Sequence, residues 1–298
     1  MASLADRISE LKREKDAVIL AHNYTSDEVQ DLADYVGDSL GLSVKAASTE
    51  ASVIVFCGVS FMGETAKILS PGKTVLLPEP EAHCAMASMC TAQQIRDMRK
   101  RHPGAAVVGY VNTSAESKAE MDVCCTSSNA VAVVRSLEEK DVIFVPDKNL
   151  GAYVASKVPE KNIILWDGFC PVHQSITVKN IADLKEKHPN ARVLAHPECR
   201  PEVLSMSDSV GSTEGMVVAA ESGEEFIVAT EKGMEHRFRG RYPEKSFHFP
   251  VNAVCLTMKM VEPESVLRCL ETFEGRVELD EEVLRSAYLP VKRMTDIK

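Results

Sequence analysis

The sequence predicts an α/β protein of three homologous three-layer αβα domains, each with a small, mostly parallel sheet. Three observations carry this. Apolar runs of strand length alternate with stretches of helical period. The alternation recurs about every 86 residues. Helical stretches separate the runs, which is the connection that parallel pairing requires.

The first repeat opens with a charged amphipathic stretch and then a strand, Ala17-Val18-Ile19-Leu20-Ala21, whose end turns polar at His22-Asn23-Tyr24. Ser26 is placed to cap a helix carrying Val29, Leu32, Ala33 and Val36 on one face, closed by Gly37. Two further strands follow, Val53–Phe56 and Thr74–Leu77. In the second repeat the strands are Ala106–Val111, Val142–Val145 and Ile163–Trp166. In the third they are Ala191–Ala195, Phe226–Ala229 and the weaker Phe247–Phe249. The resulting domains are 1–105, 106–190 and 191–298, the last with a helical tail. After about residue 262 this tail has the composition of surface helices that pack back on the first domain, without a part in the chemistry.

Aligning Ala17, Ala106 and Ala191 puts His22, Val111 and His196 in one column. A serine in a small-residue turn follows each: Ser39, Ser127 and Ser212. A cysteine follows at a matched distance further on: Cys84, Cys170 and Cys255. Parallel sheets bind ligands beyond the carboxyl ends of their strands, so three such ends facing one axis would share a single site.

The 298 residues carry a net charge of −10, with acidic groups spread along the chain. That disfavours nucleic acid and anionic membrane as partners and favours a small molecule. No signal-peptide or membrane-spanning pattern is present, so a cytoplasmic protein is expected. Nine cysteines in such a chain are thiols rather than a disulfide framework, and none forms a C-x-x-C pair.

Cys57, Cys90, Cys124, Cys125, Cys199 and Cys269 read as small buried hydrophobes. Cys84, Cys170 and Cys255 are one position sampled three times and read as metal or cluster ligands. Three thiolates without a fourth suit a zinc with an open position or a [4Fe–4S] cluster with one free iron. Soft ligands from three separate domains favour the larger cluster.

His22 and His196 stand at polar strand ends beside Tyr24 and Glu198, a set able to do general acid–base work. Ser39, Ser127, Ser212 and Thr213 each read singly as helix caps. Together at helix starts they would form a cradle for a carboxylate or phosphate. His83 and His173 read as supporting residues, and Lys67, Lys118 and Lys148 are as readily solvated as functional.

As an ordered set, several stretches resemble the quinolinate synthase family over about residues 10–260. They are Leu20–Tyr24, Val36–Ser39, Tyr110–Glu116, Asp147–Gly151, Cys170–Gln174, His196–Cys199 and Gly211–Thr213. The resemblance implies that the three domains surround a pseudo-threefold axis, with a [4Fe–4S] cluster on Cys84, Cys170 and Cys255 at the bottom of a central cavity. It implies a transferase of NAD biosynthesis that condenses iminoaspartate with dihydroxyacetone phosphate to quinolinate, phosphate and water. An L-aspartate oxidase or aspartate dehydrogenase is the implied source of iminoaspartate.

By the same resemblance, His22, Ser39, Tyr110, Val111, Asn112, Ser127, His196, Pro197, Glu198, Ser212 and Thr213 are substrate-binding positions. Tyr24, His22, His196 and Glu198 are the catalytic ones. The cysteine-rich C-terminal segment of longer members is missing, so thiol–disulfide regulation is not expected. Rival readings of the same residues are another [4Fe–4S] hydro-lyase acting on a hydroxy acid, a non-catalytic iron–sulfur redox sensor, and a three-domain zinc hydrolase.

Overall fold

The two central strands of each sheet are runs of β-branched and other apolar residues buried on both faces, as a sheet covered by helices on each side demands. In the computed structural model, which describes residues 3–297, twelve strands form three sheets of four. The first holds β1 (Ala17–His22), β2 (Tyr35–Gly37), β3 (Val53–Cys57) and β4 (Thr74–Leu76). The second holds β5 (Ala106–Tyr110), β6 (Val123–Cys125), β7 (Asp141–Val145) and β8 (Asn162–Leu165). The third holds β9 (Arg192–Ala195), β10 (Ser209–Val210), β11 (Glu225–Ala229) and β12 (Ser246–His248). Strand order is β2-β1-β3-β4, β6-β5-β7-β8 and β10-β9-β11-β12, with all pairings parallel.

The fold class is the one expected, with one addition per repeat. The short edge strands β2, β6 and β10 are new, and each is introduced by an aspartate. Asp34, Asp122 and Asp208 accept the backbone N–H of Ile19, Val107 and Val193 through a carboxylate oxygen at 2.8, 2.7 and 2.7 Å. Their own N–H groups return to the carbonyls of the same three residues. This reciprocal pair pins the edge to the central strand where the ladder is too short to hold itself.

The helix expected to run on to Gly37 therefore stops early. It spans Asp27–Leu32, capped by Ser26, and Ala33 is already extended. Gly37 belongs to β2, and the next helix, Ser39–Ser48, is capped by the Asp38 side chain on the N–H of Gly41.

The tail also departs from expectation. Helix Pro263–Thr272 does pack on helix Leu4–Glu14 of the first repeat. Helix Glu281–Asp296, however, lies against β6 and against helices Ser60–Leu69 and Ala115–Lys118, so it spans the first and second repeats. Its end is held by Asn129, whose Nδ2 donates to the carbonyls of Met294 (2.8 Å) and Ile297 (2.9 Å). Among the described residues no helix is long and apolar enough to cross a membrane.

Candidate active site

The polar ends of β1, β5 and β9 open onto one cavity of about 330 Å³. From the first repeat it is lined by His22, Tyr24, Ser39 and Cys84. The second adds Tyr110, Asn112, Ser127, Cys170 and His173, and the third His196, Glu198, Thr213 and Cys255. Val111, Pro197 and Ser212 are not among the lining residues. Val111 is buried with its N–H on the Cys125 carbonyl, and Ser212 caps helix Thr213–Ala219. The aspartate-anchored edges explain the last point. Counted from Asp34, Asp122 and Asp208, the matched column is Ser39, Ser127 and Thr213, while Ser212 shares its column with Asp38 and Thr126.

Two histidines have their tautomers fixed by backbone. The Tyr24 N–H donates to His22 Nδ1 (3.2 Å), and the Glu198 N–H donates to His196 Nδ1 (3.4 Å). A backbone N–H can only donate, so each neutral ring carries its proton on Nε2. His196 uses that nitrogen on Ser127 Oγ at 3.1 Å. Burial lowers both histidines to about 3, with Glu198 opposing, so they are neutral hydrogen-bond donors at physiological pH.

His173 is more central than a supporting residue would be. Its Nδ1 is 2.8 Å from Glu198 Oε2 and 3.2 Å from Cys170 Sγ, and its Nε2 is 2.9 Å from Thr230 Oγ1. Thr230 Oγ1 is also 2.8 Å from the Tyr24 hydroxyl. The Tyr110 hydroxyl donates to Glu198 Oε1. A continuous chain thus runs Tyr24, Thr230, His173, Glu198, Tyr110. Burial alone would raise the Glu198 carboxyl, but His173, His196 and the Tyr110 hydroxyl hold it well below its ordinary value. Both tyrosines are pushed up by burial and by the charge of Glu198, so each keeps its proton.

Thr230 leaves no mark in the repeat, because its column holds Gly58 and Pro146. The column is set by three equivalent backbone bonds. Ser60, Lys148 and Lys232, each three residues past β3, β7 and β11, donate to the carbonyls of Ala82, Gly168 and Ala253, two residues before each cavity cysteine. The residue preceding each donor is Val59, Asp147 or Glu231. Both carboxylates are fully buried. Asp147 Oδ2 accepts the Cys170 N–H at 3.2 Å, and Glu231 Oε1 accepts the Cys255 N–H at 3.0 Å. Val59 offers Cys84 no such anchor.

The six other cysteines are buried, whereas Cys84, Cys170 and Cys255 are partly exposed to the cavity. Burial pushes the Cys84 thiol up to about 12 and Cys170 up as well. A soft three-thiol donor set fits a zinc or an iron–sulfur cluster. A single tetrahedral zinc would need its sulfurs about 3.8 Å apart. Among the described residues these three sulfurs do not all lie within 4.8 Å of one another, which fits the wider cluster.

The remaining candidates are elsewhere. His83 is exposed, with Nδ1 on Ser60 Oγ at 3.0 Å. Lys67 binds the carbonyls of Pro71 and Lys73, and Lys148 pairs with Asp167 at 2.8 Å. Lys118 is fully buried, bonded to the Thr113 carbonyl and facing the Phe61 ring. Among the described residues no lysine or arginine lines the cavity.

The family model described as "Quinolinate synthetase A protein" matches residues 6–296. The chain is 51% identical over 300 residues to "Quinolinate synthase 1" of Methanosarcina acetivorans, covering all of this chain and 98% of that protein. It is 50% identical to "Quinolinate synthase" of Methanoregula boonei, covering 98% of both chains. "Quinolinate synthase" of Clostridium perfringens strain SM101 is 47% identical, again over 98% of both. Matched along nearly its whole length, with the three repeats meeting at one cavity, the chain belongs to the quinolinate synthetase A family.

Proposed function

We propose that the protein is a quinolinate synthase: a transferase that condenses iminoaspartate with dihydroxyacetone phosphate to give quinolinate, phosphate and two molecules of water. The observation that most supports this reading is the convergence of one thiol and a polar strand end from each repeat on a single cavity, in a chain of this family. Cys84, Cys170 and Cys255 would hold a [4Fe–4S] cluster. When bound, a cluster with three protein ligands supplies one iron as a Lewis acid toward substrate oxygen or nitrogen.

The residues around it divide the remaining work. Neutral His22 and His196, with Ser39, Ser127, Thr213 and the amide of Asn112, present hydrogen-bond donors to the carboxylates and phosphate. The buried Asn112 Oδ1 has no hydrogen-bond partner among the described residues and is free to accept from a substrate N–H or O–H. Glu198, held ionised, accepts the proton that leaves carbon as the new bonds form. Tyr24, which keeps its proton, donates toward a departing oxygen and is replenished through Thr230 and His173.

The partners of this reading are small anions, with no nucleic acid and no membrane. The site of action is the cytoplasm, and the functional link is to an L-aspartate oxidase or aspartate dehydrogenase that supplies iminoaspartate. The test is anaerobic: cluster-loaded protein is given freshly generated iminoaspartate and dihydroxyacetone phosphate, and quinolinate is measured by chromatography. Absence of quinolinate with a full complement of iron overturns the proposal.

A further inference from the structure

At the opposite end of the third sheet from the cavity, three ligating side chains converge. His188 follows helix Val178–Lys187, Glu225 begins β11, and His248 ends β12. His188 Nδ1 is 2.8 Å and His248 Nε2 is 3.0 Å from the same carboxylate oxygen, Glu225 Oε1. The two rings stack at 3.5 Å, and the three ligand atoms all lie within 4.8 Å of one another. Each side chain is between 23% and 33% exposed, so an ion can enter and keep water on its open side.

The spacing is informative. Ligands at about 2.0–2.1 Å in neighbouring positions of an octahedron are about 2.9 Å apart. The two nitrogen–oxygen distances, 2.8 and 3.0 Å, match that value as well as the length of an N–H···O hydrogen bond, and because the rings lie 17° from parallel, one must turn about its χ angles for both lone pairs to meet one ion. Two imidazoles and one carboxylate on one face are a donor set for a borderline divalent transition ion, and too nitrogen-rich for magnesium or calcium.

The repeats give a second, independent argument. Strand register places His248 opposite Ile227, as Ile164 is opposite Ile143 and Leu76 opposite Val55. Packing therefore asks for an aliphatic residue in this column, and two repeats supply one. The second repeat has His102 where the third has His188, and Asp141 where the third has Glu225, but no third ligand. Only the third repeat completes the triad.

We propose that His188, Glu225 and His248 form a second metal site, separate from the cysteine cavity, that takes a divalent ion of the zinc class. On binding, each neutral ring carries its proton on the far nitrogen, Nε2 of His188 and Nδ1 of His248, and the near nitrogen gives its lone pair to the ion. The ion ties β12 to β11 and to the helix before β9. Cys255 lies seven residues beyond His248, so the site sits on the strand that leads toward the third cavity cysteine without touching it.

The test uses cluster-loaded protein under anaerobic conditions, so that the cavity thiols are occupied. Zinc is titrated against a chromophoric chelator, and bound zinc and iron are counted by elemental analysis after desalting. Wild type should retain one zinc per chain and gain thermal stability from it. His248→Leu, which restores the aliphatic residue of the other repeats, and Glu225→Gln should each weaken zinc binding at least roughly tenfold, the lower bound for losing even an outer partner of a metal ligand. Iron content and quinolinate formation should stay at wild-type level in both. The proposal is overturned if wild-type protein holds no zinc, or if His248→Leu, folded and with full iron, binds it as tightly as wild type.

Discussion

The backbone N–H of Cys170 points at Asp147 Oδ2, 3.2 Å away, while Oδ1 of the same carboxylate takes the N–H groups of Asn149 and Leu150 at 2.7 and 2.9 Å. One buried side chain thus fixes both the start of a helix and the loop that presents a cavity thiol. Asp147→Ala strands three donors, each costing about 1–3 kcal/mol when buried without an acceptor. The variant should show a lower Tm and less iron per chain after anaerobic loading, with Asp147→Asn between it and wild type. Iron retention in Asp147→Ala equal to wild type would show that the carboxylate does not hold the cysteine loop.

Tyr24→Phe removes the hydroxyl at the head of the Tyr24–Thr230–His173–Glu198 chain and leaves the ring against His22, 4.5 Å between centroids. Quinolinate formation should fall by about 10²–10⁴-fold, the usual worth of a general acid, with iron content unchanged. Thr230→Val, which breaks the chain one step later, should lower kcat less and leave KM close to wild type. Undiminished turnover in Tyr24→Phe removes that residue from the proton-transfer role.

The two neutral histidines make stability depend on pH. His22 and His196 are lowered to about 3 in the folded protein against about 6.5 when unfolded. Between those values the unfolded chain binds more protons, so stability rises with pH through this window and is complete above about 6.5. Going from pH 7 to pH 5 should cost about 2 kcal/mol per histidine. Urea unfolding at the two pH values, compared between wild type and His22→Asn, reads this out. The variant should lose less, and parallel losses would count against a buried neutral His22.

Asn129 joins the tail to the site. Its Oδ1 accepts the Thr126 N–H at 2.8 Å while its Nδ2 holds the Met294 and Ile297 carbonyls. Ser127, between Thr126 and Asn129, contacts His196. Asn129→Ala should lower the Tm by several degrees, in keeping with about 2 kcal/mol for lost buried hydrogen bonds. It should also raise KM more than it lowers kcat. An unchanged KM would separate the tail from substrate binding.

Long strands, the cysteine column and the strand-end histidines were legible because each leaves a pattern that repeats. Leu20, Val108 and Leu194 sit in runs too apolar for anything but a buried strand. The edge strands were not, because two or three residues carry no periodicity. Their signal was the aspartate column Asp34, Asp122, Asp208, which matters through a side chain bonded to backbone rather than through hydrophobic pattern. Thr230 was hidden, and His173 given only a supporting role, for the opposite reason. A proton path across one cavity needs different groups from each repeat, so alignment of the repeats averages it away.

Helix Glu281–Asp296, fastened by Asn129 across the first two repeats, bears on how the protein is made. During synthesis the first two sheets can fold while the third is still on the ribosome. Cys255 arrives after both sheets, and the fastening at Ile297 later still. A cluster delivered to a nascent chain would meet two thiols and an open flank, where partial ligation by the wrong ion is easiest. The cavity therefore holds all three of its thiols only once the chain has been made past Cys255, whatever group they are to receive.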